Sequence, residues 1–378
     1  MKRKVLIIVK RLDGGTGTFV LNLIDLEKES NNNFHFDILS LETPAFRDIV
    51  RTDVEFFSGK NTYPEKYKLY PAGIITLIRE VVWLTKKMGE MRPDITLCVD
   101  LHCILINYLA LIVSRKRIPM IANIHNNVRD TIRSKSSPIL GFILKIIFSH
   151  VLKKVNFIIC VSTNLSSQVK DYFSLKSQPH TIYNGVTIPR GIKPKSFKYK
   201  KKILLCISRF DKQKDQVTLL KAFHMAFKEF PNIELVLVGD GSLKETIRKK
   251  VEKMGMSREI KFLDWVQKPE TLYQKSDIFI LSSKREGLPF VLIEAMSYGL
   301  PVISTNSPFG PSEILKEGKD GILVPIGDYG SMKEAIIKLV TNKKMYESLS
   351  RKSIKRAKFF SKENMLKNYR KVFYSLSE

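Results

Sequence analysis

Two glutamates, Glu286 and Glu294, stand eight positions apart in SSKREGLPFVLIEAMSYGLPVI. The apolar run Asp277 to Leu281 predicts a buried strand, so Glu286 falls in the loop that follows it. Pro289 suits the first turn of a helix, and Glu294 lies within that helix. In one continuous helix the interval would turn through about 800°, which puts both carboxylates on nearby faces. With the first in the loop, it reaches the end of a ligand while the second touches a more central part. Glu294 is flanked by Leu292, Ile293, Ala295 and Met296. An unpaired carboxylate is costly in such surroundings, and a pair of hydroxyls, as on a sugar, satisfies it. The amides of Gly287, Leu288 and Phe290 around Pro289 add donors for hydroxyls or phosphate. A surface glutamate and a capping glutamate that happen to fall eight apart would give the same letters.

Cations and glycines stand at matching places after other strand-like runs. Ser208-Arg209-Phe-Asp-Lys-Gln-Lys214-Asp follows Ile203 to Ser208, and two cations on one short loop suit a pyrophosphate, Arg209 as a fork and Lys214 as a point charge. A solvated charged turn is the plainer reading. Gly239-Asp-Gly241 follows Ile233 to Val238 as a second strand-to-helix turn, where simple turn chemistry competes with a binding role. The turn LDGGTGT after the first strand lets backbone at Gly15 and Thr16 approach an anion. It does not meet the dinucleotide pattern GxGxxG, since Val20 stands where the third glycine belongs. His125 in IANIHNN ends another strand, a place where histidines are often structural.

These positions need strands and helices in alternation to hold them. Val5 to Val9, Phe34 to Leu41, Asp94 to Val99, Pro119 to Ile124 and Phe157 to Val161 read as strands, with helices over Thr18 to Glu27 and Ile74 to Lys87. After Asn184-Gly185-Val186, TIPRGIKPKSFKYKK reads as an exposed linker. A second series follows: Ile203 to Ser208, Ile233 to Val238, Asp277 to Leu281 and Pro301 to Ser304, with helices over Val217 to Phe227 and Leu243 to Lys253. Alternation of this kind means parallel sheets covered on both faces, so the fold class is α/β with two doubly wound halves in tandem. A chain of 378 residues with 44% apolar and 27% charged residues supports two such cores.

The net charge of +27 attracts polyanions: nucleic acid, an anionic membrane or a phosphorylated substrate. From His102 to Lys170 there are ten cations (Arg115, Lys116, Arg117, Arg129, Arg133, Lys135, Lys145, Lys153, Lys154, Lys170) against Asp130. Within that stretch SSPILGFILKIIFSHVLKK interleaves aliphatic residues with cations, as an interfacial helix does, and as a core helix with a basic rim also does. The apolar content is aliphatic, which favours a membrane surface over the aromatic platform of single-strand nucleic-acid binders. No signal peptide is read at Met1-Lys-Arg-Lys, and no apolar stretch reaches the roughly 20 residues of a bilayer span. Cys98, Cys103, Cys160 and Cys206 show no CxxC spacing and read as buried thiols in a reducing compartment.

SRFDKQKD, LVGDG, FLDWV, REGLPFVLIEAMSYGLPVI and NGV together resemble the retaining GT-B-fold glycosyltransferases of family 4. The resemblance spans most of the chain and is more specific in the second half. TNSPFGPSEIL, Thr305 to Leu315, is similar to enzymes that build bacterial surface polysaccharides such as capsule or lipopolysaccharide. It implies a GT-B fold, two Rossmann-like domains with an interdomain cleft. Residues 1–190 form the acceptor side, 200–360 bind the nucleotide sugar, and 361–378 pack back as a helix on the first domain. EGLPFVLIEA supplies the family's E-x7-E signature, which implies that Glu286 contacts the donor sugar and Glu294 the nucleotide ribose. Arg209 and Lys214 carry over as the pair that stabilises the leaving diphosphate, Gly15 and Thr16 approach phosphates or acceptor, and His125 lies near the donor sugar. Gly239, Val266, Gly287, Leu288, Pro289 and Phe290 fall among the implied substrate-binding positions. Two places depart from the family pattern: Thr16-Gly17-Thr18 where an acidic side chain is common, and Asp264 where glycine is frequent.

The expectation is therefore a retaining hexosyl- or N-acetylhexosaminyltransferase that uses a UDP-linked donor and a lipid-linked or growing polysaccharide acceptor. It needs no cofactor and no metal ion, works in the cytoplasm on the inner face of the cytoplasmic membrane, and has no nucleic-acid partner. A sugar-nucleotide epimerase of the same fold, a PLP-dependent phosphorylase and a basic nucleic-acid-binding protein are the alternatives.

Overall fold

The computed structural model describes residues 2–12, 14–28, 33–42, 54–56, 71–198, 200–266 and 268–376, without the side chains of 54–56, 71–73, 134 and 135. Asp13 of the glycine turn, the Lys135 side chain, Tyr199 of the expected linker, and 377–378 of the expected last helix thus lie outside the described residues. The chain divides into two compact units, Met1–Gly185 with Glu363–Glu378, and Val186–Lys362.

Among the described residues the first unit carries a seven-stranded parallel sheet of β1 (Arg3–Val9), β2 (Phe34–Ser40), β3 (Val54–Phe56), β4 (Ile95–Val99), β5 (Met120–Ile124), β6 (Phe157–Cys160) and β7 (His180–Thr181). Its spatial order is β3-β2-β1-β4-β5-β6-β7. Val5 through Val9 are wholly buried, which is what a central strand covered on both faces requires. The helices are α1 (Gly14–Ile24), α2 (Pro71–Met91), α3 (Asp100–Ser114), α4 (Val128–Lys135), α5 (Pro138–Leu152) and α6 (Thr163–Phe173). α1 begins four residues earlier than the sequence predicts: Gly14 to Gly17 form its first turn, and it ends at Ile24 before a 3₁₀ turn, Asp25–Lys28. Gly14 enters that turn at φ +50°, a conformation glycine adopts without strain.

The second unit holds β8 (Lys202–Ile207), β9 (Ile233–Val238), β10 (Ile260–Leu263), β11 (Ile278–Leu281), β12 (Val302–Thr305) and β13 (Ile322–Val324) in the order β10-β9-β8-β11-β12-β13, all parallel. Its helices are α7 (Gln216–Glu229), α8 (Lys244–Lys253), α9 (Glu270–Lys275), α10 (Phe290–Ser297), α11 (Gly310–Ile314), α12 (Tyr329–Thr341) and α13 (Lys343–Ala357). The stretch expected to be an exposed linker is in fact part of this unit. Phe197 is buried against Tyr346, and the ammonium of Lys202 sits 4.0 Å from the Phe197 ring centre. Lys195 Nζ donates to the carbonyls of Tyr273, Gln274 and Ser276, at 3.3 Å for the first and 3.0 Å for the last. Lysine stems can bury while their heads find partners, so a basic composition did not mean solvent here.

The last helix, α14 (Lys362–Ser375), lies in the first unit apart from its first residue. Tyr369 packs 5.5 Å from Phe19 of α1, and Phe373 packs 5.3 Å from Phe34 of β2, ring centre to ring centre.

Candidate functional site

In an open parallel sheet, loops at the carboxyl ends of the strands diverge where the strand order reverses, and ligands bind there. In the second unit that point lies between β8 and β11. The loop after β8 carries Arg209 and Lys214, and the loop after β11 carries Glu286, so both expected groups flank the switch point.

Short polar bonds shape the first loop and stitch it to the second. Asp211 Oδ1 accepts from the amides of Gln213 (2.9 Å) and Lys214 (3.0 Å), which reverses the chain. Gln213 Nε2 donates to the carbonyl of Arg285 (2.9 Å), the amide of Lys284 to Gln213 O (2.7 Å), and the hydroxyl of Ser282 to Lys214 O (2.8 Å). The result is a Lys214 Nζ to Glu286 Oε1 ion pair of 2.6 Å, with side-chain exposures of 16% and 8%. Arg209 differs: its side chain is 63% exposed, with Asp211 Oδ2 3.3 Å away.

The glycines of the GDG turn have a packing reason. Gly239 and Gly241 have φ of +138° and +147°, and a Cβ on them would lie 2.2 Å from Ser208 O and 2.5 Å from Phe210 O. The turn after β9 therefore rests on the backbone of the loop that carries Arg209. Gly239 contributes this support, and its expected contact with substrate is a separate matter. Gly310 does the same beneath the Glu286 loop, since its Cβ would stand 2.5 Å from Gly287 O. Phe309 just before it holds φ +78°, a strained value for a residue with a side chain.

Gly287 and Leu288 lead into Pro289, which caps α10 rather than entering its first turn, and Phe290 opens the helix. Leu288 and Phe290 are buried. Glu294, one turn on, points its Oε2 at the hydroxyl of Tyr273, which donates at 2.7 Å. Burial raises the Glu294 carboxyl above its ordinary value, the Tyr273 hydrogen bond draws it back, and Glu270 pushes it up again. Tyr273, on α9, has no signature in the sequence: it lies 21 positions from Glu294 and belongs to another helix.

Val266 follows β10 and is 37% exposed beside Trp265 at 38%. Asp264, the departure from the family pattern, has a clear local role. Lys244 Nζ bridges Asp264 and Asp240, 2.7 Å from the latter, while Asp240 Oδ2 accepts from the Trp265 amide at 3.2 Å. The loop of Val266 is thereby tied to the GDG turn.

His125, Gly15 and Thr16 belong to the first unit. Gly15 and Thr16 sit in the first turn of α1 after β1, which with β4 frames that sheet's own switch point. Gly17 of the same turn approaches Leu12 closely, a Cβ there standing 3.2 Å from the Leu12 carbonyl carbon. His125 follows β5, is buried, and meets Phe19 of α1 edge-on at 4.6 Å. Burial pushes its imidazole down to about 3, so the ring is neutral at neutral pH. All four cysteines are buried with free thiols, and burial pushes Cys206 up to about 11. Among the described residues no group of three or more His, Cys, Asp or Glu gathers to hold a metal ion, and no helix is long and apolar enough to cross a membrane.

Residues 14–190 match the family model described as Glycosyltransferase Family 4, and residues 189–356 match that described as Glycosyl transferases group 1. An uncharacterized glycosyltransferase of Methanocaldococcus jannaschii, MJ1059, is 25% identical over 287 residues, 71% of this chain and 68% of that protein. A Campylobacter jejuni GalNAc-alpha-(1->4)-GalNAc-alpha-(1->3)-diNAcBac-PP-undecaprenol alpha-1,4-N-acetyl-D-galactosaminyltransferase is 31% identical over 173 residues, 44% of this chain and about half of that enzyme at 48%. Among solved structures, Anabaena Alr3699/HepE in complex with UDP-glucose superposes with a TM-score of 0.74 at 16% identity, covering 98% of this chain and 99% of that one.

Proposed function

The chain belongs to the GT-B-fold glycosyltransferases of family 4, and from that premise we propose that it transfers a hexosyl or N-acetylhexosaminyl group with retention from a UDP-linked donor to a lipid-linked or growing surface polysaccharide. The observation that carries this reading is the stitched pair of loops at the β8/β11 switch point, which hold Lys214 against Glu286 and carry the exposed Arg209. The UDP-glucose complex of HepE and the undecaprenol-linked substrate in the Campylobacter enzyme's name support the choice of donor and acceptor.

In this mechanism the acceptor oxygen bonds to the anomeric carbon on the face from which the diphosphate departs. The carbon–oxygen bond to the diphosphate breaks, and the acceptor proton passes to the diphosphate oxygen. Lys214 and Arg209 neutralise the charge that develops there, the effect that usually contributes most to such steps. Glu286 takes hydroxyls of the donor sugar, Glu294 those of the ribose. His125, Gly15 and Thr16 serve the sugar, phosphates or acceptor from the first unit, while Gly239, Val266, Gly287, Leu288, Pro289 and Phe290 line the nucleotide. No cofactor and no metal ion takes part.

UDP-, GDP- and ADP-sugars screened by thermal stabilisation, then the best one repeated with Glu286→Ala and Glu294→Ala, test the reading. Loss of stabilisation in both variants is expected, and retention in both would remove the site assignment. Activity that EDTA abolishes and Mn²⁺ restores would remove the metal-free step. Donor consumed without an acceptor would favour an epimerase.

We also propose that the first unit works on the inner face of an anionic membrane. The support is α5: Ile139, Phe142 and Ile146 are 77%, 64% and 55% exposed, whereas Phe148, Val151 and Leu152 alone are buried. A core helix would hide those residues. Exposed Arg133, Lys153 and Lys154 stand close to it in the chain. Sedimentation with phosphatidylcholine vesicles, with and without phosphatidylglycerol, is expected to show binding that needs the anionic lipid and weakens in salt. Each serine at 139, 142 or 146 removes about 1.5–3 kcal/mol of apolar insertion. Unchanged binding in the triple serine variant, or self-association through this face in light scattering, would overturn the proposal.

A further inference from the structure

The contact between Tyr273 and Glu294 joins two helices that the sequence keeps far apart, and its geometry is held from both sides. Tyr273 is 1% exposed, its ring stacks on Tyr298 at 5.4 Å and meets Phe279 at 6.2 Å. Its hydroxyl therefore has one direction to point, and there it donates to Glu294 Oε2 at 2.7 Å. A hydrogen bond to a carboxylate is among the stronger neutral-to-charged contacts, and it leaves the second oxygen for another donor.

What holds Tyr273 comes from the stretch that composition marks as a linker. α9 is a six-residue helix whose last carbonyls have no partner further along the helix. Lys195 Nζ donates to three carbonyls at that end, Tyr273, Gln274 and Ser276, and its charge suits the negative end of the helix. Lys195 is itself anchored, since its amide donates to Ser350 Oγ of α13 at 2.7 Å.

We propose that Tyr273 is a positioning residue for the donor's ribose, its hydroxyl fixing the Glu294 carboxylate that receives the ribose hydroxyls, and that Lys195 fixes Tyr273 by clamping the end of α9. The inference rests on the reading that Glu294 binds the ribose. A carboxylate accepts most strongly from two hydroxyls when it is ionised and turned toward them. Tyr273 favours the ionised form, opposing the burial that acts against it.

The test is isothermal titration of the full chain at neutral pH with UDP and with 2′,3′-dideoxy-UDP, using wild type, Tyr273→Phe, Lys195→Met and Glu294→Gln. Glu294→Gln is expected to erase the preference for UDP. Tyr273→Phe should narrow that preference about tenfold while dideoxy-UDP affinity stays within about twofold, the mark of a lost contact to a charged group rather than a damaged pocket. Lys195→Met should narrow it in the same direction and less. If Glu294→Gln erases the preference but Tyr273→Phe keeps it, or weakens both ligands equally, Tyr273 only packs and the proposal falls while the site reading stands. If Glu294→Gln keeps the preference, the ribose reading falls and the proposal with it. Should Tyr273→Phe fail to fold, an unchanged preference in Lys195→Met overturns the proposal by itself.

Discussion

Lys214 and Glu286 show how two opposite charges are kept together inside the second unit. Each is mostly buried, so neither is left as a lone charge, and removing one partner strands the other at a cost of a few kcal/mol. Glu294 carries the pH dependence. Burial holds its carboxyl above the ordinary value, and the groups that face it are Tyr273 and Glu270 from α9 and Tyr298 just after its own helix. A raised carboxyl keeps its proton in the folded chain to higher pH than in the unfolded one. Its contribution to stability is therefore present in acid and is lost as pH rises through the raised value. On the proposed function donor binding has the opposite sign, because the ribose hydroxyls would donate to the ionised form. UDP affinity should fall on acidification, starting above the ordinary carboxylate range, with protons released on binding. Calorimetry in buffers of different ionisation enthalpy measures this, and Glu294→Gln should flatten it. An equally steep fall in that variant would assign the titration to another group.

At the scale of elements, the site depends on loops that rest on one another's backbone. The GDG turn touches the Ser208 to Phe210 loop so closely that Gly239→Ala must move a carbonyl and also strain its own φ. A loss of about 2 kcal/mol or more is expected, visible as a lower melting temperature. Gly89, in α2 with open space around its would-be Cβ, is the control, and alanine there should stabilise by about 0.5–1 kcal/mol. Equal melting of the two variants would remove the packing account. Element edges also explain what sequence patterns missed. The strands absent from the periodicity reading are β3, β7, β10 and β13, and each is at an edge of its sheet. They have two to four residues, and the three whose side chains are described are only partly buried. So short a half-covered edge carries no continuous apolar run.

For the molecule, the last helix decides whether the first unit can stand. Met365, Leu366, Tyr369, Val372 and Phe373 are buried, and they cover Phe19, Phe34 and Phe36. A chain ending at Ser361 would return Phe19, Phe34 and Phe36 to water at roughly 1.5–3 kcal/mol each, a sum comparable to a domain's usual stability margin. Calorimetry should show the transition of the first unit lost or aggregating and that of the second retained. Two intact transitions would show that the first unit does not need α14.

The sequence by itself determined the two α/β halves, the strand-end positions of Arg209, Lys214, Glu286 and His125, and the family. Those features are local: buried strands are apolar runs, and the groups at their ends follow in the next few letters. Tertiary structure alone decided the partners. Lys214 meets Glu286 across 72 positions because parallel strands bring separate loops to one edge, and Tyr273 meets Glu294 across 21 because two helices pack together. It also decided which basic and apolar letters face water. Phe197 of the expected linker is inside and Ile139 of the expected helix is outside, since burial depends on what packs above a residue and not on its type.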